Sequence, residues 1–414
     1  MRLSQKSGRP RKEKVKGPVK VTEREELKDH PLETRIALIQ QLIPLGLMAA
    51  AEELQREVAD LVGDRYSRGG KLSRHGTNPG TILLGGQRVP IRVPRIRDED
   101  GEISLRSYQL LHEGVGLNEN ILKEVLGGLS CSRHESAMNP QEGSIGTSRS
   151  TVSRRFITAS QEQLTSLMNR DLSEHDIVAI FVDGKSFADD QMVIALGVTM
   201  DGRKICLGFI QTVTENKKAL TEFFRTLIGR GLRVDKGLLL IMDGAKGLHA
   251  AAREIFGGSC LIQRCQWHKR ENIIGYLGKN QQPYFRKQLQ KAYERPTLDE
   301  ALSALSQVRS ELEAINESAV RSLDEGFEET LTLHELNVFQ YLGVSLKTTN
   351  CIESLNSMAG DLCGKVDYWK NSSQKQRWLA SALLDIEPRL RRIHRYKDLT
   401  RLRQGLAKRL DAGT

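Results

Sequence analysis

The run Ile177-Val178-Ala179-Ile180-Phe181-Val182, closed by Asp183-Gly184, is apolar throughout with no polar interruption. Strands that face water on one side alternate apolar with polar residues, so an unbroken run of this length reads as a strand buried on both faces. The pattern returns in Gly237–Met242, closed by Asp243-Gly244. Between the two runs, Gln191–Met200 and Lys204–Thr212 read as further strands joined by Asp201-Gly202, a strong two-residue hairpin signal. Helices are expected over 216–229 and 246–256, and a short strand over 260–262. Three successive strands followed by helix, strand, helix, strand imply an α/β unit with a mixed sheet.

That order fits a ribonuclease-H-like arrangement, in which an antiparallel meander is extended by parallel strands. Downstream, from Tyr284 to about Phe339, the strand signal stops. Thr297-x-x-Glu300 is a capping box, and Leu298, Leu302, Leu305, Val308 and Leu312 recur at helical spacing. Pro296 separates this helix from one before it, so an all-α insertion is expected. Helices follow at about 349–362 and 374–384. The segment Arg389–Arg409 is amphipathic and strongly basic. Upstream, residues 33–62 read as one or two helices broken near Pro44 and Gly46. Residues 80–97 read as a small hairpin about Gly85-Gly86, with Pro90 and Pro94 demoting its second arm to an edge strand. Residues 118–160 read as short helices. In Ile145–Phe156 a glycine turn precedes a helix with Val152 and Phe156 on one face and Arg149, Ser150, Ser153 and Arg154 on the other, with Arg155 beside them. That is the pattern of a helix-turn-helix recognition helix, and equally of an ordinary amphipathic surface helix.

The expected organisation is a basic N-terminal region over 1–115, whose arm is a solvated tail or a DNA-binding arm, a helix-turn-helix-like region over 116–175, a first part of the α/β core over 176–280, a helical insertion over 281–345, a Glu-bearing helix of the core over 346–388 and a basic tail over 389–414. The fold class is an α/β catalytic core of ribonuclease-H-like type with an all-α insertion, preceded by a mostly α N-terminal region with a small hairpin.

Composition narrows the setting. The 414 residues hold 62 Lys+Arg against 52 Asp+Glu, a net charge of +10, with 39% hydrophobic and 28% charged residues. These figures exclude collagen-like, mucin-like and wholly disordered chains. No apolar run approaches the ~18 residues of a membrane-spanning helix. The basic N-terminus is not followed by the apolar stretch of a secretory signal. Six cysteines do not make a disulfide scaffold, and a reducing, cytoplasmic setting is expected. The positive balance suits a phosphate-binding partner without proving one.

Asp183 and Asp243 each end a buried strand, and the carboxyl ends of neighbouring strands are where open α/β sheets bind ligands. Two carboxylates meeting there would repel, and a divalent cation with a preference for oxygen, Mg²⁺ or Mn²⁺, relieves that repulsion. The competing reading is that each Asp-Gly makes only a turn, as Asp201-Gly202 does. Glu353 lies on a helix whose Asn350, Glu353, Asn356 and Gly360 share one face, with Ile352, Leu355, Ala359 and Leu362 on the other. By itself it reads as a solvated glutamate. Cys265-x-x-His268, with Arg270 close by, suggests zinc, but a closed site needs four ligands; Cys260 is a possible third and no fourth is near. The other reading is a packed cysteine with a histidine beside the acidic site.

Together these segments resemble the bacterial Mutator-type insertion-sequence transposases, which carry an Asp-Asp-Glu site. Val182-Asp183-Gly184 looks like the first-Asp motif and Met242-Asp243-Gly244-Ala245 like the second. Arg264-Cys265-Gln266-Trp267-His268-Lys269-Arg270-x-Asn272 is similar to the Cys-x-x-His motif, and Thr349-Asn350-x-Ile352-Glu353-Ser354-x-Asn356 to the catalytic-Glu motif. The likeness runs from about residue 30 to 385, with a long gap before Glu353 that matches a helical insertion. Where family members show an Arg-rich stretch, residues 357–364 are nearly neutral. The resemblance implies metal-dependent DNA cleavage and strand transfer, with Asp183, Asp243 and Glu353 as catalytic residues and metal ligands for Mg²⁺ or Mn²⁺, two ions being expected. It also implies double-stranded DNA as partner, both terminal inverted repeats and target, and a homodimer or higher assembly on DNA at the bacterial nucleoid. The alternatives are an inactive relic or repressor that only binds DNA, and a nuclease that cuts without joining.

Overall fold

A computed structural model of the chain describes residues 32–63, 72–84, 87–114, 117–129, 149–187, 190–212 and 216–413. The chain divides into two compact units, one of residues 1–115 and 138–147, the other of 116–137 and 148–414. The basic arm of residues 1–20 and the turn at 143–146 lie outside the described residues.

In the first unit, α1 (Leu32–Val62) is followed by β1 (Ser73–Leu84), β2 (Gln87–Arg97), β3 (Glu102–Ile103) and α2 (Arg106–Glu113). The expected break in α1 is absent: the helix runs through Pro44 and Gly46. Pro44 is exposed, so the group that loses its partner can turn to water, and the Ala-, Leu- and Glu-rich turns beyond it propagate the helix while burying Leu54 and Val58. The hairpin is longer than expected, pairing β1 with β2 from Ser73↔Arg97 to Leu84↔Gln87. β2 is an edge over the stretch that holds both prolines, but past them it also pairs with β3, at Ile96↔Ile103 and Arg97↔Glu102. Glu57 of α1 accepts the backbone N–H groups of Arg106 and Ser107, both at 2.8 Å, placing a carboxylate at the start of α2.

The second unit opens with α3 (Leu117–Leu126) and α4 (Arg149–Met168), and continues with β4 (Ile177–Phe187), β5 (Asp190–Thr199), β6 (Lys204–Thr212), α5 (Lys217–Gly229), β7 (Leu238–Met242), α6 (Lys246–Phe256) and β8 (Cys260–Arg264). Among the described residues these five strands form one sheet in the order β6-β5-β4-β7-β8. β4, β5 and β6 are antiparallel, while β7 and β8 run parallel to β4. The sheet is covered on both faces, which is why its strands read as continuous apolar runs. Alternate residues part cleanly: Phe181, Ile194, Leu239 and Ile241 face one core, and Ile180, Val182, Leu240 and Met242 face the other. The second core is completed by α5 and α6 through Phe224, Leu227, Leu248 and Phe256.

After β8 come α7 (Gln266–Ile274), α8 (Gln282–Tyr293), α9 (Leu298–Glu313), α10 (Glu317–Asp324), α11 (Thr332–Glu335), α12 (Phe339–Leu346), α13 (Asn350–Cys363), α14 (Ser372–Ile386) and α15 (Leu399–Gly413). Thr297 caps α9 by accepting from Glu300 N–H, as the capping box requires. The inserted helices have a core of their own, from Ile273 through Leu289 and Leu305 to Leu331, whereas Leu333, Leu342 and Leu346 already belong to the first sheet face. β8 is an edge strand, and chain 330–333 closes that edge. Thr332 Oγ1 donates to Ile262 O at 2.6 Å, and Gln263 Oε1 accepts from Leu333 N–H at 3.0 Å.

The segment expected as a basic tail, 389–414, is instead anchored to the core along one apolar stripe, with its basic residues mostly exposed. Leu399, Leu402 and Leu406 of α15 are buried in the core of the first sheet face. Arg403 donates to Gly237 O at 2.6 Å and pairs with Asp176. The amphipathic period was visible in the sequence; the charge count hid that its apolar stripe is core.

Candidate active site

The strand register brings the two aspartates side by side. Val182 pairs with Met242 across the parallel β4–β7 ladder, and Met242 with Arg264 across β7–β8. Asp183, Asp243 and Cys265 are the next residues on three adjacent strands, at neighbouring positions along the carboxyl edge of the parallel strands. Adjacent strands lie ~4.8 Å apart. By the period of two, Asp183 follows Phe181 and Asp243 follows Ile241, so both belong to the face covered by α13.

Helix α13 supplies the third carboxylate. Its apolar stripe, Ile352, Leu355 and Ala359, is buried against the sheet, as the sequence pattern predicts. Asn356, one turn beyond Glu353, is buried as well and donates from Nδ2 to Asp183 Oδ2 at 2.8 Å. Lys185, two residues along β4 from Asp183, donates from Nζ to the Asn356 carbonyl. The Asn356 side-chain oxygen is buried without a hydrogen-bond partner. Glu353 Oε1 accepts from the buried Thr349 hydroxyl at 2.5 Å. Asp243 Oδ1 accepts from Ala245 N–H at 3.0 Å, at the start of α6.

One oxygen of each carboxylate is thus fixed. Asp183 Oδ1, Asp243 Oδ2 and Glu353 Oε2 have no such partner among the described residues. The Asp183 carboxyl is pushed up to about 6, by burial first and then by the charges of Asp243 and Glu353. Three carboxylates with one oxygen each to offer, and a surplus of negative charge, suit a hard divalent cation by chemistry. As the side chains stand, no group of three His, Cys, Asp or Glu among the described residues is close enough to hold one ion.

The Cys-x-x-His pair joins the sheet to the glutamate. Cys265 precedes α7 and His268 lies in its first turn. The Thr349 hydroxyl lies 3.4 Å from Cys265 Sγ and 3.3 Å from His268 Nδ1, and His268 Nε2 is 3.9 Å from Glu353 Oε1. The hydrogen bond with Cys265 is the main cause raising His268 to about 9, helped by Glu353 and Asp243. Burial pushes the Cys265 thiol up, but hydrogen bonds from His268 and Thr349 together outweigh it and hold the thiol below its usual range. Cys260 and Cys265 stand at opposite ends of β8, ~16 Å apart at 3.3 Å per residue, so they cannot share an ion.

Arg270 and Asn350 are not drawn to the carboxylates. Arg270 pairs with Glu271 at 2.9 Å and reaches Gln290 at 3.4 Å, while Asn350 is exposed at the first turn of α13. Sequence reasoning missed Lys185, and it quoted Thr349 and Arg264 within motifs without giving them a role. Lys185 had a signal, since it lies two residues from Asp183 on the same strand face. Arg264 is buried beside Asp243 and donates to Glu325 O at 2.8 Å; a Cβ on Gly244 would fall inside its guanidinium. A cavity of about 580 Å³ opens there, lined by Asp243, Gly244, Lys246, Arg264 and Glu329 among others.

The candidate recognition helix is α4. Val152 and Phe156 are buried, Phe156 against Trp378 of α14 with ring centroids 5.0 Å apart. Arg149, Ser150 and Arg154 are exposed, Ser153 is half-buried, and Arg155 donates to Asn118 of α3 at 3.2 Å.

Comparisons with known proteins identify the family. Residues 21–386 match the model of the family described as "Transposase, Mutator family". The chain is 30% identical over 237 residues to the transposase for insertion sequence element IS6120 of Mycolicibacterium smegmatis, spanning 55% of this chain and 71% of that protein. It is 27% identical to the transposase for IS256 in transposon Tn4001 of Staphylococcus aureus, over 72% of this chain and 77% of the relative. It is 25% identical to the transposase for IS905 of Lactococcus lactis, over 80% of this chain and 82% of the relative. No helix among the described residues is long and apolar enough to cross a membrane. With the family model covering most of its length, this chain belongs to the Mutator family of transposases.

Proposed function

We propose that this chain is an insertion-sequence transposase that binds the terminal inverted repeats of its element and catalyses metal-dependent DNA cleavage and strand transfer. The observation that carries the reading is the matched register of Asp183 and Asp243 at the ends of parallel strands, with Asn356 tying the Glu353 helix to Asp183. The strand order supports a ribonuclease-H-like core. Asp183 and Asp243 would be the primary ligands, and Glu353 would complete the set. When bound, the divalent ions, Mg²⁺ or Mn²⁺ and two in number, supply activation of the attacking oxygen and stabilisation of the leaving oxygen. The protein's own residues position the carboxylates: Asn356 fixes Asp183, the Ala245 N–H fixes Asp243, and Thr349 fixes Glu353. Protonated His268 places positive charge beside that cluster, where a scissile phosphate would sit.

The basic face of α4, with Arg149, Ser150, Ser153, Arg154 and Arg155, would make salt-dependent phosphate contacts in double-stranded DNA. Joining two ends requires at least a dimer on DNA, in the bacterial cytoplasm at the nucleoid. The test is an assay of the purified chain with Mg²⁺ and DNA carrying the element's ends. Cleaved and joined products are expected. Asp183→Asn should retain DNA binding and lose both products; joining at the wild-type rate by that variant would overturn the reading. Cut ends without joined product would mark a nuclease instead.

A further inference from the structure

Trp267 is the one tryptophan this fold leaves exposed. Trp378 packs on Phe156 and Trp369 on Phe187, whereas the Trp267 side chain is 44% exposed at the start of α7. Leaving so large an apolar face in water forfeits the stabilisation its burial would give. Its position is fixed: the indole meets the His268 ring edge-on, centroids 4.8 Å apart and planes at 79°. His268 in turn lies 3.9 Å from Glu353. The exposed aromatic surface therefore stands one side chain away from the candidate catalytic glutamate.

A cavity of about 200 Å³ opens beside it, between α7, the end of α8 and the segment entering α13. Trp267, Arg270, Gln290, Glu294, Lys347 and Asn350 are among its lining residues. This volume is below the ~300 Å³ where pockets for whole small molecules begin, so it suits one planar ring. The wall chemistry is that of nucleobase recognition: an aromatic face for stacking, the side-chain amide of Asn350 for a base edge, and a Glu294 carboxylate that accepts from Gln290 Nε2 at 3.0 Å and keeps a second oxygen for an exocyclic amine. Arg270 is held in place by Glu271 and Gln290, and the Lys347 ammonium stands 5.7 Å from the Phe339 ring centroid, so two cations border the opening. They suit the phosphates on either side of an inserted base.

We propose that this cavity takes a single unpaired nucleobase, from a nucleotide flanking the scissile phosphate, stacked on Trp267. The inference rests on the reading of Asp183, Asp243 and Glu353 as the strand-cleaving centre. A base pair does not fit, so the DNA must open locally at the site, at a cost of a few kcal/mol in unstacking. Through His268 the captured base would register the strand against Glu353.

The experiment uses the full chain without divalent ion and two DNA probes of arbitrary sequence. One is a blunt duplex; the other is the same duplex with a short unpaired tail carrying 2-aminopurine. The wild type should bind the tailed probe more tightly and quench its fluorescence. Trp267→Ala should lose about tenfold in affinity for the tailed probe, and the quench, with blunt-duplex binding unchanged. Trp267→Phe should restore most of both. Asn350→Ala, on a different helix, should weaken the tailed probe selectively even if the Trp267 variants fold poorly. Equal binding of the tailed probe by wild type, Trp267→Ala and Asn350→Ala would overturn the inference alone. Absence of cleaved product from the wild type with Mg²⁺ and DNA carrying the element's ends would overturn the reading beneath it.

Discussion

Asp183-Gly184 and Asp201-Gly202 are the same dipeptide at opposite ends of the sheet. β5 runs antiparallel to β4, so the turn after Thr199 returns to the Ile177 end, far from Asp183. Asp201 sits in water among partners: it accepts from the Thr199 hydroxyl, pairs with Arg203 at 2.7 Å and lies 3.9 Å from Arg392. Hydrogen bonding by Thr199, ahead of the arginine charge, holds its carboxyl below the usual range. The loop is one residue longer than the expected two-residue hairpin: Thr199 N–H donates to Arg203 O and Gly202 N–H to Thr199 O, and Gly202 takes the φ of +80° that the last residue of a three-residue loop requires. Asp183 is the reverse case. It is half-buried with two carboxylates near it, and its carboxyl is raised to about 6 despite Asn356 and His268. A turn aspartate is satisfied by its own fold, whereas Asp183 and Asp243 are held by the fold in a state that something else must neutralise.

The largest effect should break or uphold that contrast directly. Asp243→Asn should reduce Mg²⁺-dependent strand cleavage by more than ~100-fold, exceeding the 10- to 100-fold expected for residues that only orient a metal ligand. Asp201→Asn should leave the cleavage rate within about twofold, as a surface substitution away from the site. Equal losses in the two variants would mean that Asp-Gly is structural at both ends. Next in size is Asn356→Ala, which removes the donor on Asp183 Oδ2 but no carboxylate. A loss of about 10- to 100-fold in cleavage is expected, with retention of DNA on a filter or gel unchanged.

Stability separates the two aspartates by sign. A carboxyl whose folded pKa is raised favours folding fully below its unfolded value, and that contribution is lost as pH rises through the folded value. For Asp183 the window runs from about 4 to just above 6. Asp183→Asn keeps an acceptor for Asn356 and removes the charge. In metal-free protein it should therefore raise stability by about 1–3 kcal/mol at pH 8 and by nothing at pH 4. Denaturant unfolding at the two pH values measures this; no gain at pH 8 would show that the negative charge around Asp183 is already balanced.

What could be read in the sequence follows from what is local. The buried strands, the Asp201-Gly202 turn, α6 and the capping box at Thr297 were legible because period, length and turn chemistry fix them within a few residues. The carboxylates were legible because they close those runs. The role of Arg264 was not, since it acts on Glu325, distant in sequence, nor was that of Thr349, which ties Glu353 one turn away to Cys265, distant in sequence. The continuity of α1 through Pro44 was misread because the proline signal is local, while the packing of Leu54 and Val58 against the hairpin is not. Residues 389–414 were misread for the same reason: nine basic residues are obvious in the sequence, but three buried leucines are identified only by what they touch.

The smallest effect completes the comparison at Asp201. Its lowered carboxyl stabilises the fold above its unfolded value near 3.8, and that contribution is lost as pH falls through the folded value. Asp201→Asn should thus be mildly destabilising at neutral pH and neutral in strong acid, the opposite sense to Asp183→Asn. The partners are exposed and the turn geometry survives in the amide, so a loss of no more than ~1 kcal/mol is expected, shrinking further in high salt. Unfolding at pH 7 in low and high salt reads both signs on one scale. If Asp201→Asn stabilised the protein as Asp183→Asn should, the hydrogen bonds from Thr199 and Arg203 would not be what holds this turn aspartate ionised.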